Sequence, residues 1–119
     1  MITLYDNNGC AIAYVHSDDR SIFLFGGEAV AYIEDDSVYS YAGRYLGWTR
    51  DGWFFDRSGK RAFFTEPAKG GPTRATKQLR PVRGVRQMRP VRSTRETRPQ
   101  RPVRSLLWSN VSSERYFQQ

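Results

Sequence analysis

Cysteine and histidine are nearly absent from this chain: Cys10 and His16 are the sole examples in 119 residues. One cysteine closes no intrachain disulfide and builds no thiolate metal cluster. Long apolar runs are missing too, so no membrane-spanning helix is expected. The opening Met1-Ile2-Thr3-Leu4-Tyr5-Asp6 lacks the basic n-region and apolar stretch of a secretory signal. The cytoplasm is therefore the expected compartment. The second half is short of acid and of aromatic residues. Residues 68–119 hold thirteen Lys/Arg against two Asp/Glu, a net +11, while residues 1–67 hold six against ten, a net −4, giving the overall +7. Fourteen of the seventeen aromatic residues lie in residues 1–67, so a core belongs there and the second half cannot bury much alone.

What the second half does have is register. Arg74, Lys77, Arg80, Arg83, Arg86, Arg89, Arg92, Arg95, Arg98, Arg101 and Arg104 fall at every third position. An α-helix, at 3.6 residues per turn, would smear this row around its surface. A strand would alternate it between two faces. Polyproline II has three residues per turn and keeps the row on one line, and Pro81, Pro90, Pro99 and Pro102 favour it. A second row carries Leu79, Val82, Val85, Met88, Val91 and Val103 and gives the segment an apolar edge. A disordered basic tail has no reason to keep such spacing, so the segment is expected to lie along a surface.

The first half is a repeat. Aligned on Gly9, Gly27, Gly43 and Gly59, each unit has an aromatic four residues before the glycine (Tyr5, Phe23, Tyr39, Phe55). Another stands five residues after it (Tyr14, Tyr32, Trp48, Phe64), and an aliphatic three after (Ile12, Val30, Leu46, Ala62). Each unit reads as a β-hairpin. Asp6 to Gly9 and Asp56 to Gly59 read as turns ending in a positive-φ glycine. Gly26-Gly27 and Ala42-Gly43 read as two-residue turns. His16 to Asp19, Glu34 to Asp36 and Arg50 to Gly52 read as polar turns between hairpins. One hairpin is marginal in water. The spacing predicts an all-β fold of four hairpins around a pseudo-fourfold axis, their aromatic rows buried together as core. Whether they close within one chain stays open.

These hairpins, followed by Lys69-Gly70-Gly71-Pro72, the Arg-Pro-Val-Arg triplets and the closing Pro102-Val103-Arg104-Ser105-Leu106-Leu107-Trp108-Ser109, resemble bacterial proteins with a four-fold beta flower domain. The resemblance runs from about Leu4 to Ser109 by the repeat alignment, and Asn110 to Gln119 lie beyond it. It implies a fold and no activity, and no catalytic or binding residue is carried over from it.

No constellation carries catalysis. His16 sits in a turn beside Ser17, Asp18 and Asp19 without the orienting partner and nucleophile that a general base needs, and reads as a solvated turn residue. Asp18/Asp19 and Glu34-Asp35-Asp36 have carboxylates for a hard cation but match no calcium loop. Gly26-Gly27 lacks the lysine and following helix of a phosphate loop. Cys10 reads as a small core residue on a strand. Tyr45, Trp53 and Phe54 fall outside the aligned aromatic positions and are candidates for a surface contact. No catalytic residue, metal or cofactor is expected, and no membrane or small-molecule partner.

The organisation predicted is a four-hairpin domain over 1–67, a Gly/Pro linker over 68–73, the triplet extension over 74–105 and an anchor and tail over 106–119. Arginine stacks on aromatic rings and pairs with carboxylates, so the row complements the acidic, aromatic first half. Trp108 anchors the end, with Leu106 and Leu107 beside it. The eleven basic residues and Trp108 are the expected partner-binding set, for self-packing or homo-oligomer assembly. The alternative is sequence-independent nucleic-acid binding through phosphate neutralisation. A third reading displays the triplets to a proline-recognising or acidic protein.

Overall fold

Eight short strands carry the first half of the chain. The computed structural model describes residues 1–119. They are β1 (Ile2–Tyr5), β2 (Ala11–Val15), β3 (Ser21–Leu24), β4 (Ala29–Glu34), β5 (Ser37–Ser40), β6 (Tyr45–Arg50), β7 (Trp53–Phe55) and β8 (Arg61–Phe64). Each pairs antiparallel with the next, and the pair Tyr5↔Phe64 joins β1 to β8 into a closed barrel. The hairpins thus close within one chain. Register repeats from unit to unit: a shift follows Leu4, Ile22, Val38 and Phe54, the residue before each aligned aromatic.

All four glycine turns are built alike. The first residue donates to the carbonyl four positions on (Asp6 N to Cys10 O, Leu24 N to Glu28 O, Ser40 N to Arg44 O, Asp56 N to Lys60 O). The glycine donates back to the first carbonyl. Gly9, Gly27, Gly43 and Gly59 all have positive φ, +79°, +105°, +91° and +89°. This is a three-residue loop closed by a left-handed glycine, so the expected two-residue turns at Gly26-Gly27 and Ala42-Gly43 are one residue longer. In the first and fourth turns an Asp carboxylate also caps amides: Asp6 takes Asn8 N and Cys10 N, and Asp56 takes Ser58 N and Lys60 N.

The aligned aromatics are buried as expected, but strand alternation places them on the opposite face of the strands from the mostly aliphatic interior, so they do not share one central core. The interior cluster is Leu4, Ala13, Val15, Ile22, Ala31, Val38, Leu46, Phe54 and Phe63. All eight aligned aromatics lie in separate buried clusters on the outer face of the strands. Tyr45, Trp53 and Phe54, expected as surface contacts, are buried as well, the first two in the outer aromatic cluster and Phe54 in the interior one. Ring stacking decides the outer arrangement: each aromatic five after a glycine lies against the aromatic that opens the next unit. The pairs are Tyr14–Phe23, Tyr32–Tyr39, Trp48–Phe55 and Phe64–Tyr5, with centroids 5.9, 6.0, 5.1 and 5.4 Å apart and planes within 18–24° of parallel. Four stacked pairs therefore mark four seams between neighbouring hairpins.

The interior is finished by the far end of the chain. A short helix, α1 (Ser113–Tyr116), is capped by the Ser112 hydroxyl. It carries Tyr116 and Phe117 into the interior cluster beside Phe63, with centroids 5.1 and 5.7 Å from it. The Tyr116 hydroxyl donates to Phe55 O at 2.9 Å. Gly47 makes room for it, since a Cβ there would meet that hydroxyl at 2.9 Å. Residues 110–119, unplaced by the repeat pattern, thus act as a plug. Residues 74–105 take neither helix nor strand. The molecule measures 37 × 37 × 22 Å, and no helix is long and apolar enough to cross a membrane.

Candidate functional site

The extension runs as a belt over the outside of the barrel, and its contacts recur every nine residues. Gln78 N donates to Gly9 O at 2.9 Å, Gln87 N to Gly27 O at 2.8 Å, Glu96 N to Gly43 O at 2.8 Å and Ser105 N to Gly59 O at 2.9 Å. Nine-residue spacing also relates Gly84 N, which donates to Phe25 O, and Ser93 N, which donates to Tyr41 O. The belt comes so close that a side chain on any of the four glycines would drive into the carbonyl of Thr76, Val85, Thr94 or Val103 respectively. The glycines thus serve twice, for the left-handed turn and for the approach of a second backbone.

The arginines lie over the seams. Arg83 stands over Tyr14 at 5.6 Å, Arg92 over Tyr32 at 4.0 Å and Arg101 over Trp48 at 5.3 Å. Arg95 and Arg104 cover the partner rings Tyr39 and Phe55 at 5.6 and 5.9 Å. Such contacts lie within the range of cation–π attraction. Others reach the turns: Arg89 pairs with Asp18 at 3.0 Å, Arg98 with Asp36 at 3.9 Å and Arg104 with Asp51 at 2.9 Å. Arg101 grips Asp36 with both terminal nitrogens. That grip is the main reason the Asp36 carboxyl is held below its ordinary range. Burial by itself would raise Asp18. Hydrogen bonds from the Ser21 hydroxyl and amide and the Arg20 amide, with the charge of His16, hold it at about 2 instead.

The fourth seam is closed differently. Trp108 packs edge-on against Trp53 at 5.5 Å and Phe64 at 6.3 Å, and bridges in parallel to Arg61. Buried Arg61 lies over Trp53 at 4.8 Å and Phe55 at 5.1 Å and donates to Ser105 O. Burial lowers its affinity for the proton. Arg74, at the belt's start, stands 5.9 Å from the same Trp53 ring. Start and end thus meet at one ring.

Of the twelve expected contact residues, Arg74, Arg83, Arg89, Arg92, Arg95, Arg98, Arg101, Arg104 and Trp108 touch rings or carboxylates of the barrel. Lys77, Arg80 and Arg86 form no ion pair. Arg80 borders a groove with Tyr5 and Glu66, and Arg86 one with His16 and Phe23. His16 is half-buried, its ring edge-on to Phe23 at 5.7 Å, rather than a solvated turn residue. Cys10 is half-buried. Leu106 and Leu107 stay exposed, at 68% and 64%, and do not join Trp108.

A family model described as the 4-fold beta flower protein matches residues 2–117. The chain belongs to that family. No curated protein and no solved structure matches it. The match takes in α1 and most of the plug, beyond the Ser109 limit of the repeat pattern. In this beta flower the signal that triplet counting misses is a nonapeptide. Residues 74–82, 83–91, 92–100 and 101–109 align as Arg, a small residue or Pro102, Thr or Val, a basic residue, then Gln78, Gln87, Glu96 or Ser105. Three units continue to Arg-Pro; the fourth puts Leu107 and Trp108 there. Four nonapeptides answer four glycines.

Proposed function

We propose that this chain is a non-catalytic structural and assembly protein of the cytoplasm, whose basic extension is a polyproline II-like belt docked on the acidic, aromatic barrel of its own chain. The observation that carries the reading is the nine-residue register of Gln78, Gln87, Glu96 and Ser105 with the four glycine carbonyls. Length agrees. Arg74 and Trp108 meet the same ring, and 34 steps at about 3.1 Å make about 105 Å, the circumference of a circle about 34 Å across. The molecule is 37 Å wide. The belt's amides at these positions bond outward to the barrel, as a helix without internal bonds requires. Inserting one alanine after Thr94 turns the downstream arginines off the row by about 120°. The expected result is a lower melting temperature and loss of amide protection at Ser105. An insertion that leaves both unchanged refutes docking in register.

A second reading, sequence-independent nucleic-acid binding, is favoured by one observation. The Arg89 and Arg98 side chains remain 52% and 51% exposed despite their ion pairs. Their outer N–H groups are free for phosphate. Fluorescence anisotropy with any labelled oligonucleotide should then give affinity that falls steeply with salt. Absence of binding at low salt removes this reading.

A further inference from the structure

With its arginines turned inward, the belt leaves aliphatic side chains outside. Leu79, Val82, Val85, Met88 and Val91 are 91–98% exposed at successive third positions. The next positions of the row, Thr94, Thr97 and Gln100, are polar. The unbroken apolar arc therefore covers about 37 Å of belt at about 3.1 Å per residue, with Val103 standing apart beyond the polar positions. An unbroken exposed apolar strip marks a contact surface. Three cations at its start and middle are also unmatched. Lys77, Arg80 and Arg86 take part in no ion pair and lie over no ring, whereas Arg89, Arg98, Arg101 and Arg104 form ion pairs and Arg83, Arg92 and Arg95 lie over rings.

A surface of the opposite character adjoins it. Between α1 and the Gly27 turn lies a cleft of about 640 Å³, lined by Ile12, Leu24, Phe25, Val30 and Phe117, with Glu28 and Glu114 beside them. Arc and cleft share one turn, for Gly84 donates to Phe25 O and packs on Gly26. An aliphatic strip with unpaired cations and an apolar cleft with two carboxylates are complementary in shape class and in sign.

We propose that the arc of one copy seats in the α1 cleft of a second copy, reciprocally about a twofold axis, with Arg86 facing Glu28 and Glu114. Two such surfaces side by side on one molecule satisfy the self-complementarity that a twofold contact needs. The proposal rests on the docked belt, because only then is the row turned outward. The test is solution mass by size exclusion with light scattering on the full chain, together with trypsin digestion of the belt in the same samples. Wild type is expected to be a dimer. Val85→Asp in the arc and the double change Glu28→Lys/Glu114→Lys in the cleft should each give a monomer with an unchanged melting temperature, since these side chains are exposed. Mixing the two variants should restore a weaker dimer, because one arc still meets one intact cleft. A monomeric wild type with a trypsin-resistant belt overturns this contact and leaves the docked belt standing. A wild type whose belt is digested freely overturns the docked belt itself. A dimer that survives the cleft changes and is lost with Val85→Asp overturns the arc-to-cleft pairing.

Discussion

Deleting Arg92, Ser93 and Thr94 keeps every remaining basic residue on the three-residue row but removes one third of a nonapeptide. Chain length decides the outcome. Gln87 and Glu96 are held by Gly27 and Gly43, and the nine residue steps from one to the other span about 28 Å at about 3.1 Å each. Six residues reach at most about 22 Å even when fully extended. One half of the belt must let go. The first half is the cheaper to release, since the second also holds the Arg61 bridge and Trp108. Sliding the first half forward by three positions is no remedy. Pro81, which has no N–H, would then stand where Gly84 donates to Phe25 O. Release forfeits the bonds of Gln78, Gly84 and Gln87, about 3 kcal/mol at about 1 kcal/mol each. The open population then rises about 100-fold. Trypsin reads it directly, because Arg83 and Arg86 lie in the released half and neither precedes proline. Cleavage there should accelerate about 100-fold where opening precedes cutting, and the melting temperature should fall by about 10 °C. Unchanged digestion at Arg83 and Arg86 would refute the nine-residue register, leaving only the period of three.

Other expectations follow from the same contacts. Gly43→Ala places a Cβ at φ +91° against the Thr94 carbonyl, so chemical denaturation should show a loss of about 2–3 kcal/mol, from left-handed strain plus the Glu96 bond. Gly70→Ala, at φ +68° with open space around it, should cost only the strain, about 1–2 kcal/mol. Tyr116→Ala should cost about 3–5 kcal/mol by emptying the plug. Tyr116→Phe should cost about 1 kcal/mol by losing the bond to Phe55 O; equal losses in urea for the two variants would contradict this placement of the ring. Asp18 and Asp36 have folded carboxyl pKa values below the ordinary 3.8. Their contribution is therefore present above pH 3.8 and is lost as pH falls toward about 2 for Asp18. Melting temperatures from pH 5 to pH 2 should drop less steeply in Asp18→Asn than in wild type.

The strand positions were legible because each unit repeats the same outer aromatic, inner aliphatic and left-handed glycine. Which face was the inside was not. Tyr14, Tyr32, Trp48 and Phe64 look like core by size, and size favours aromatics in a small interior. Yet the interior is narrow enough that small Ala13 and Ala31 occupy inward positions, and Gly47 leaves room for the Phe55 carbonyl and the Tyr116 hydroxyl that donates to it. The arginine row was legible as a surface-following segment with a three-residue charge period. Its true docking period of nine lies in the residues between the arginines: Gln78, Gln87 and Glu96, and the small Ala75, Gly84 and Ser93. Those residues carry no charge pattern and stand out only when the belt is aligned against the four glycines. The role of residues 110–119 had no sequence signal beyond Tyr116-Phe117, since a four-residue helix has too short a period to read.

The two halves of the chain answer one physical problem. A closed barrel of short strands removes its sheet edges, but its narrow interior leaves the eight aligned aromatic side chains outside it. Stacking them in pairs across the seams buries one face of each ring and leaves the other exposed. A cation whose planar head lies flat on a ring and whose remaining N–H groups reach a nearby carboxylate suits that second face better than an aliphatic chain does. Arg101, over Trp48 and paired with Asp36, and Arg104, over Phe55 and paired with Asp51, meet both needs. The number of nonapeptides is then set by the number of seams. The last unit breaks its own pattern because there the belt must stop, and Trp108 takes the place of proline on the ring where Arg74 began.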